Sequence, residues 1–598
     1  MKTRKIKLFT VAVFALTAFS TGCKDLWEKD EGDLLIGSTS SGTEVPTDFN
    51  EQSSDYEFDE NAARYIHCKE TSITLENCDT TVSVSGQFAT VKAAGTYFVD
   101  GVLNNGQIKV DAEGIVKIVL NGADITCSSS APIFIKDCEK AVLIINDGTT
   151  NQLTDYENSA EENGVIYSKE NFSISGADNN TGTLTINAKN KDGIKCKDGL
   201  VINSGNITIN SVDDGIIGKD FLLVHNGNIT VKSAGDAIKS TKDGAGFINI
   251  DGGVFTLTCL SSASSSDTAK NDAIKAEADI AISGGVFNIT TKRGTVSKQG
   301  WGGGFAPGGG GGNPWGGGGM MEATSNKLAA MHGITCGGNM TISGGDFTIN
   351  AYGKGLNADG NIVFSNATAV IVSERHGIGA DGDFTIESGK LDITATWEGI
   401  EATNILIAGG ETYINAQDDG INASNTNPSL TISDGFLFVK AAGDGLDSNG
   451  DIKVSGGVTV VSQTGGGNSP IDCGDRGYTF TVSGGTVLAL GSSDMFSESI
   501  PSSTSNPMVY SQSLGNSSSS LAVDDIIAIK NPQAYGAAIF ISDKLTNGTK
   551  YNFVIGGEIS GEEYKEGTGI YFPPTSVSNG KSVSVTATTQ SSRGGFGW

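Results

Sequence analysis

No stretch of fifteen residues in this sequence carries a convincing 3.6-residue apolar period, which excludes helical bundles and helical repeats as its main architecture. Basic residues are few as well: 40 lysines and arginines face 68 aspartates and glutamates, for a formal charge of -28. That balance works against binding a polyanion through phosphate contacts, so nucleic acid is excluded as a partner. Contact with an acidic polysaccharide would need local basic residues or a bridging divalent cation. The sequence contains no G-x-S-x-G nucleophile motif, no phosphate-binding loop and no HExxH metalloprotease motif. No spacing among its 9 cysteines matches a zinc site.

The apolar run from Leu8 to Phe19 is too short to span a bilayer as a permanent helix. It follows Lys2, Arg4, Lys5 and Lys7 and precedes Ser20-Thr21-Gly22-Cys23, so residues 1–22 resemble a bacterial lipoprotein signal, with Cys23 acylated after cleavage. Ser20 departs from the usual leucine, and ordinary secretion is the alternative. Residues 23–60 are polar and acidic and read as a solvated tether. Their acidic start resembles surface-export signals of outer-membrane lipoproteins. The expected placement is therefore the outer membrane, with exposure at the surface, contact with lipid through the anchor alone, and a monomeric state.

What the chain has in abundance is glycine, 83 residues, among alternating aliphatic and small polar side chains. Asp192-Gly193-Ile194-Lys195-Cys196 returns 22 residues later as Asp214 to Gly218, and again as Asp236 to Ser240. The same frame continues at Asp272, His332, Lys354, His376, Glu398, Asp419 and Asp444. A second series keeps step with it, each strand opened by a glycine: Gly205, Gly227, Gly345 and Gly389. Strands this short satisfy their backbone groups only by pairing with the equivalent strand one coil away. The expected fold is all-β: a right-handed, single-stranded parallel β-helix with about 22 residues per coil. The third and fifth residues of each block point inward, so Cys196, Cys336 and Cys473 read as buried structural thiols. An exported protein could oxidise Cys68 with Cys78 and Cys127 with Cys138.

Residues 61–160 are expected to form an N-terminal cap and the first coils, 161–490 the regular helix, and 491–598 a small β-sandwich-like unit. A glycine-rich insertion at 291–331 reads either as flexible linker or as a flap, in which Trp301, Phe305 and Trp315 with Lys292, Arg293 and Lys298 cover a ligand groove.

Successive first positions of the blocks lie roughly 4.8 Å apart, the strand spacing. A column of carboxylates at that distance repels itself. Asp192, Asp214, Asp236, Asp272, Asp419 and Asp444, with Asp213 and Asp418 beside them and Asp447 nearby, offer the dense hard oxygen donors that suit Ca²⁺. The plainer reading is that Asp-Gly makes a turn at a coil corner and that water or backbone N–H satisfies each carboxylate. In mid-column the residues change to Tyr352, Lys354, Arg375, His376, Trp397, Glu398 and Glu401. Aromatic faces cover the C–H surface of a pyranose, while charged groups bind its hydroxyls and carboxylates. A Lys or Arg beside bound Ca²⁺ could also remove the proton α to a uronate carboxylate.

Gly95-Thr96-Tyr97, Val119-Leu120-Asn121-Gly122 and Ile145-Asn146-Asp147-Gly148, in order with the Asp-Gly-Ile blocks, resemble a carbohydrate-binding β-helix lipoprotein family first recognised in a cellulose-degrading clostridium. That family is related to calcium-dependent pectate lyases. The resemblance, over roughly residues 70 to 590, implies binding of cellulose-like or polygalacturonate-like polymers. It also implies Asp192, Asp213, Asp214, Asp236 and Asp272 as calcium ligands. If the chain were a lyase, Lys354 or Arg375 would be its base. The leading expectation is a non-catalytic, calcium-associated polysaccharide binder; the alternatives are a calcium-dependent lyase and an adhesin or spacer.

Overall fold

The computed structural model describes residues 51–156, 164–261, 271–293 and 331–590, apart from residues 396 and 476. Their regular structure is almost entirely strand. One coil consists of Ile216–Gly218, Phe221–Val224 and Asn228–Ser233. Each strand pairs in parallel with its counterpart one coil on: Ile216 with Ile238, Leu222 with Ile248, Ile229 with Phe255. Three parallel sheets result, wound into a β-solenoid of about 14 turns. The all-β parallel helix expected from the repeat is the fold of the chain.

Alternation sets what is inside. Ile207 and Ile209 are buried while Thr208 and Asn210 face solvent. The third block position forms one aliphatic file, in which Ile194, Ile216, Ile238, Ile274 and Ile334 follow one another in register. Each such side chain contributes about 1.5–3 kcal/mol of burial. Phe255, Phe287 and Phe347 stack with centroids 4.6 Å apart and nearly parallel rings, because register fixes both their spacing and their orientation. Cys196, Cys336 and Cys473 lie buried at the inward fifth position. Cys68, Cys78, Cys127 and Cys138 are buried free thiols, so neither N-terminal pair forms a bridge.

The glycine at the second block position has a reason other than a corner turn. A Cβ on Gly215 would stand 2.4 Å from the carbonyl oxygen of Ala237 in the next coil and 2.4 Å from Val231 Cγ1. Close approach of stacked backbones, not a left-handed conformation, fixes it. Positive φ occurs instead at the glycines opening the third sheet, such as Gly227 at 138°.

Both ends depart from the coil pattern. Arg64–Glu70 joins the first coils in parallel and carries an antiparallel partner, Ser72–Glu76. Thr486–Gly491, in the last coil, pairs antiparallel with Ala537–Ile541. A five-stranded antiparallel sheet follows, and its Leu521 and Phe553 pack with Phe436, Phe438 and Leu488 on the outer side of the final coils.

Residues 51–60, read from the sequence as the end of a solvated tether, pack on the coils because they carry Tyr56 and Phe58, both buried. Asp55 pairs with Lys140 at 2.7 Å in a buried contact, and Glu51 reaches His225 at 3.1 Å. Asp251 lies 2.8 Å from the other ring nitrogen of His225. Hydrogen bonds to Asp251 and Glu51, working against burial, raise the His225 pKa from 6.5 to about 9. A raised histidine pKa gives stability that is complete below 6.5 and lost as pH rises through 9. Proteinase K cleavage within residues 51–63 should therefore accelerate between about pH 7 and about pH 10 relative to a His225→Gln variant digested at the same pH, whose clasp is loose throughout.

Candidate functional site

The first residue of each block sits where a coil enters the first sheet, and its side chain runs along the solenoid axis. Asp214 Oδ1 accepts a hydrogen bond from the backbone N–H of Asp236 at 2.8 Å, and Asp236 Oδ1 from that of Asp272 at 2.7 Å. Asp272 Oδ1 accepts from His332 N–H at 2.7 Å, and His332 Nδ1 from Lys354 N–H at 3.0 Å. The ladder resumes with Asp419 accepting from Asp444 N–H at 2.6 Å and Asp444 from Ser469 N–H at 2.5 Å. These side chains do for the coil corner what carbonyls do within the sheets. His332 serves as a neutral acceptor: burial, with Lys354 and Arg375 nearby, holds its pKa down at about 3.

The second oxygens distinguish three stretches of the column. In the first stretch lysines at the outward fourth position provide counter-charge: Lys195 Nζ is 2.7 Å from Asp192 Oδ2, and Lys239 Nζ contacts both Asp214 Oδ2 and, at 3.3 Å, Asp236 Oδ2. Asp192, Asp213 and Asp214 converge, with one ligand atom from each within 4.8 Å of the others. Burial raises the carboxyl pKa of Asp192 and Asp236 against the pull of those lysines. Next to this stretch, Asn187, Lys189, Asn210, Val212, Lys232 and Leu260 line a shallow groove of about 390 Å³, with lysines on its walls.

In the last stretch the fourth position holds Asn422, Asp447 and Asp472 in register, with no lysine among them. Asp419 is pushed up to about 7, Asp444 to about 6 and Asp447 to about 8, by burial first. Repulsion follows, from Asp444, Asp418 and Glu398 on Asp419, and from Asp419, Asp444 and Asp472 on Asp447. Burial and the Glu398 charge raise Asp418 as well. These acids crowd together with no lysine at the fourth position of their blocks, an electrostatic condition that a divalent cation relieves.

The middle stretch brings Tyr352, Lys354, Arg375, His376, Trp397 and Glu398 onto three successive coils of the same rim. The Arg375 guanidinium lies over the Trp397 ring, 5.0 Å from its centroid, and Trp397 is 37% exposed. The Lys354 chain folds across Gly379, where a Cβ would meet its Nζ, and its ammonium stands 3.9 Å from Glu401. His376 Nδ1 is 3.1 Å from Glu398 Oε2 and 3.3 Å from Glu401 Oε2. Burial works against the Glu398 charge, but His376, Asn422 and Lys354 outweigh it and hold that carboxyl below its ordinary value. Trp301 and Trp315 lie outside the described residues, as does Cys23.

Sequence reasoning had grouped the acids by their place at the first block position and by the neighbouring Asp213, Asp418 and Asp447. It missed Lys195 and Lys239 as their counter-ions, and it missed Asp472. The signal was present in the period-2 alternation, since the fourth residue of a block, lying between the inward third and fifth positions, must point outward on the rim beside the column.

Stacked coils with outward side chains aligned in rows define the protein's class, an elongated β-solenoid with a charged, aromatic-bearing rim. The family model described as "Carbohydrate-binding domain-containing protein" matches residues 85–374 and 367–506, and the chain belongs to that family. A carbohydrate-binding domain-containing protein of Acetivibrio thermocellus is 37% identical over 146 residues, 23% of this chain; the chain spans about half, 49%, of that relative. A solved structure of the polysaccharide lyase-like protein from C. thermocellum, a gadolinium derivative, is similar at 30% identity over 39% of this chain and 95% of that one, with a TM-score of 0.31.

The ladder makes a direct prediction. Asp214→Ala leaves the buried N–H of Asp236 without its acceptor and should cost about 1–3 kcal/mol in urea unfolding. Asp214→Asn retains an acceptor oxygen and should cost distinctly less.

Proposed function

We propose that this protein binds polysaccharide along the rim without cleaving it, that Ca²⁺ at the lysine-free carboxylates supports the binding, and that uronate-containing glycans are its ligands. Membership of a carbohydrate-binding family supports the polysaccharide. The observation that carries the finer reading is the juxtaposition, on adjacent coils, of an exposed Trp397 stacked by Arg375 and the mutually repelling acids that begin in the next coil with Asp418 and Asp419.

The roles follow from the chemistry. Trp397 offers a ring face to the C–H surface of a sugar. Arg375 and Lys354 present cationic groups to a uronate carboxylate, with Tyr352 on the same side. Asp418, Asp419, Asp444, Asp447 and Asp472 would hold Ca²⁺, which supplies positive charge able to neutralise the acids and attract glycan carboxylates. The lysine-paired set of Asp192, Asp214 and Asp236 already has its neutralising charge and is the weaker candidate. Lys354 and Arg375, the candidate bases, are engaged with Glu401 and Trp397, which favours a binding role for both. The signal-like N-terminus supports display on a lipid anchor at Cys23, at the outer membrane and facing outward.

Passing the protein over immobilised polygalacturonate tests the reading. Retention is expected in millimolar Ca²⁺ and release in chelator; Trp397→Ala should weaken retention about tenfold, the scale of one aromatic anchor. Ultraviolet-absorbing unsaturated ends should not form. Their appearance would establish a lyase instead, and absence of retention on any glycan would favour a spacer.

A further inference from the structure

We propose that His376, Glu398 and Glu401 form a site for a divalent transition metal of the zinc class, distinct from the oxygen-only carboxylates of the neighbouring coils. The first observation is where the ladder stops. In the coils before and after, the first residue gives an acceptor atom to the next coil's backbone N–H. Lys354 has no acceptor to give, and His376 Nδ1 and Glu398 Oε2, 3.1 Å apart, meet no partner in hydrogen-bond alignment. His376 is only 9% exposed, so water does not stand in for the missing partner across most of its surface. A buried nitrogen and a buried carboxylate oxygen left in this state call for a ligand.

The second observation is spacing. His376 Nδ1 stands 3.1 Å from Glu398 Oε2 and 3.3 Å from Glu401 Oε2, and all three ligand atoms fall within 4.8 Å of one another. A tetrahedral ion with bonds of 2.0–2.2 Å separates its ligands by about 3.4 Å. The His376 and Glu398 atoms are at hydrogen-bond distance yet out of hydrogen-bond alignment, as two ligands facing a shared centre would be.

The third is donor type. One imidazole with two carboxylates suits zinc, cobalt or nickel, and leaves a position for water; Ca²⁺ prefers six to eight oxygens and gains little from imidazole. The outer groups are in place. Asn422 Nδ2 donates to Glu398 Oε1 at 3.0 Å, and the Trp397 ring meets the His376 ring edge-on at 5.6 Å. Both orient the ligands before an ion arrives. The Lys354 ammonium near Glu401 opposes the ion's charge and sets a ceiling on affinity.

The alternative explanation is a direct contact of His376 with the two glutamates and no ion between them, and metal titration separates the two. Tag-free protein, stripped with chelator and dialysed into millimolar Ca²⁺, is titrated with ZnCl₂ by calorimetry and with CoCl₂ by visible absorption. One equivalent of each should bind, with Co²⁺ giving d–d bands and excess Ca²⁺ failing to displace it. His376→Ala and Glu398→Gln should each weaken binding about 100-fold or more, and Glu401→Gln supplies a third variant should either of those fail to fold, as judged by circular dichroism. Lys354→Met should strengthen binding severalfold. Absence of uptake by the wild-type protein, or uptake unchanged in folded ligand variants, would overturn the assignment. Polygalacturonate retention is scored separately, so either result stands apart from the glycan reading.

Discussion

Every part of this molecule depends on one constraint: the backbone groups of a coil find their partners in the coil above and below, in strict register. Parallel pairing settles the strands, but the corners leave N–H groups that no carbonyl reaches. Buried aspartates and one neutral histidine fill that gap, from Asp214 through His332. The acidic column is first a structural device. Burying it creates an electrostatic problem, which the first stretch solves with Lys195 and Lys239 and the last stretch leaves open among Asp419, Asp444 and Asp447.

The rim changes character where the structural duty lapses. Between Lys354 and Glu398 the first-position side chains are released from backbone capping, and here the rim acquires its exposed tryptophan, its guanidinium and a histidine between two carboxylates. A repeat can carry a site only by excusing a few members from the rule the others obey. The coils on either side keep the frame rigid enough for those few to be positioned.

Much of this was legible in the sequence for a simple reason. A period of 22 residues with inward Ile and small residues admits one way of stacking, so the fold, the internal file from Ile194 onward and the buried state of Cys196 and Cys336 followed from spacing. The rim was legible as a list of residues, Tyr352 through Glu398, because register converts sequence position into height along the rod. Direction was not legible. Whether an aspartate looks along the axis to an N–H or outward to solvent depends on a corner conformation that block alignment does not encode. The same applies to Gly215, read as a turn residue and in fact required by a carbonyl 2.4 Å from its missing Cβ. Tyr56 and Phe58 were hidden differently: two aromatics in an acidic stretch gave no period to read, yet both are buried against the coils and help the Asp55 and Glu51 contacts fasten residues 51–60 there.

The two ends of the rod carry a consequence of their own. A stack of parallel strands presents at each end an edge onto which another copy could continue the same register, and a chain of such copies would be a fibre. Here the terminal coils meet strands that run the opposite way, Ser72–Glu76 at one end and Ala537–Ile541 at the other. Reversal of direction interrupts the parallel register at both of these edges, the arrangement by which sheet proteins guard a strand row against templating another copy.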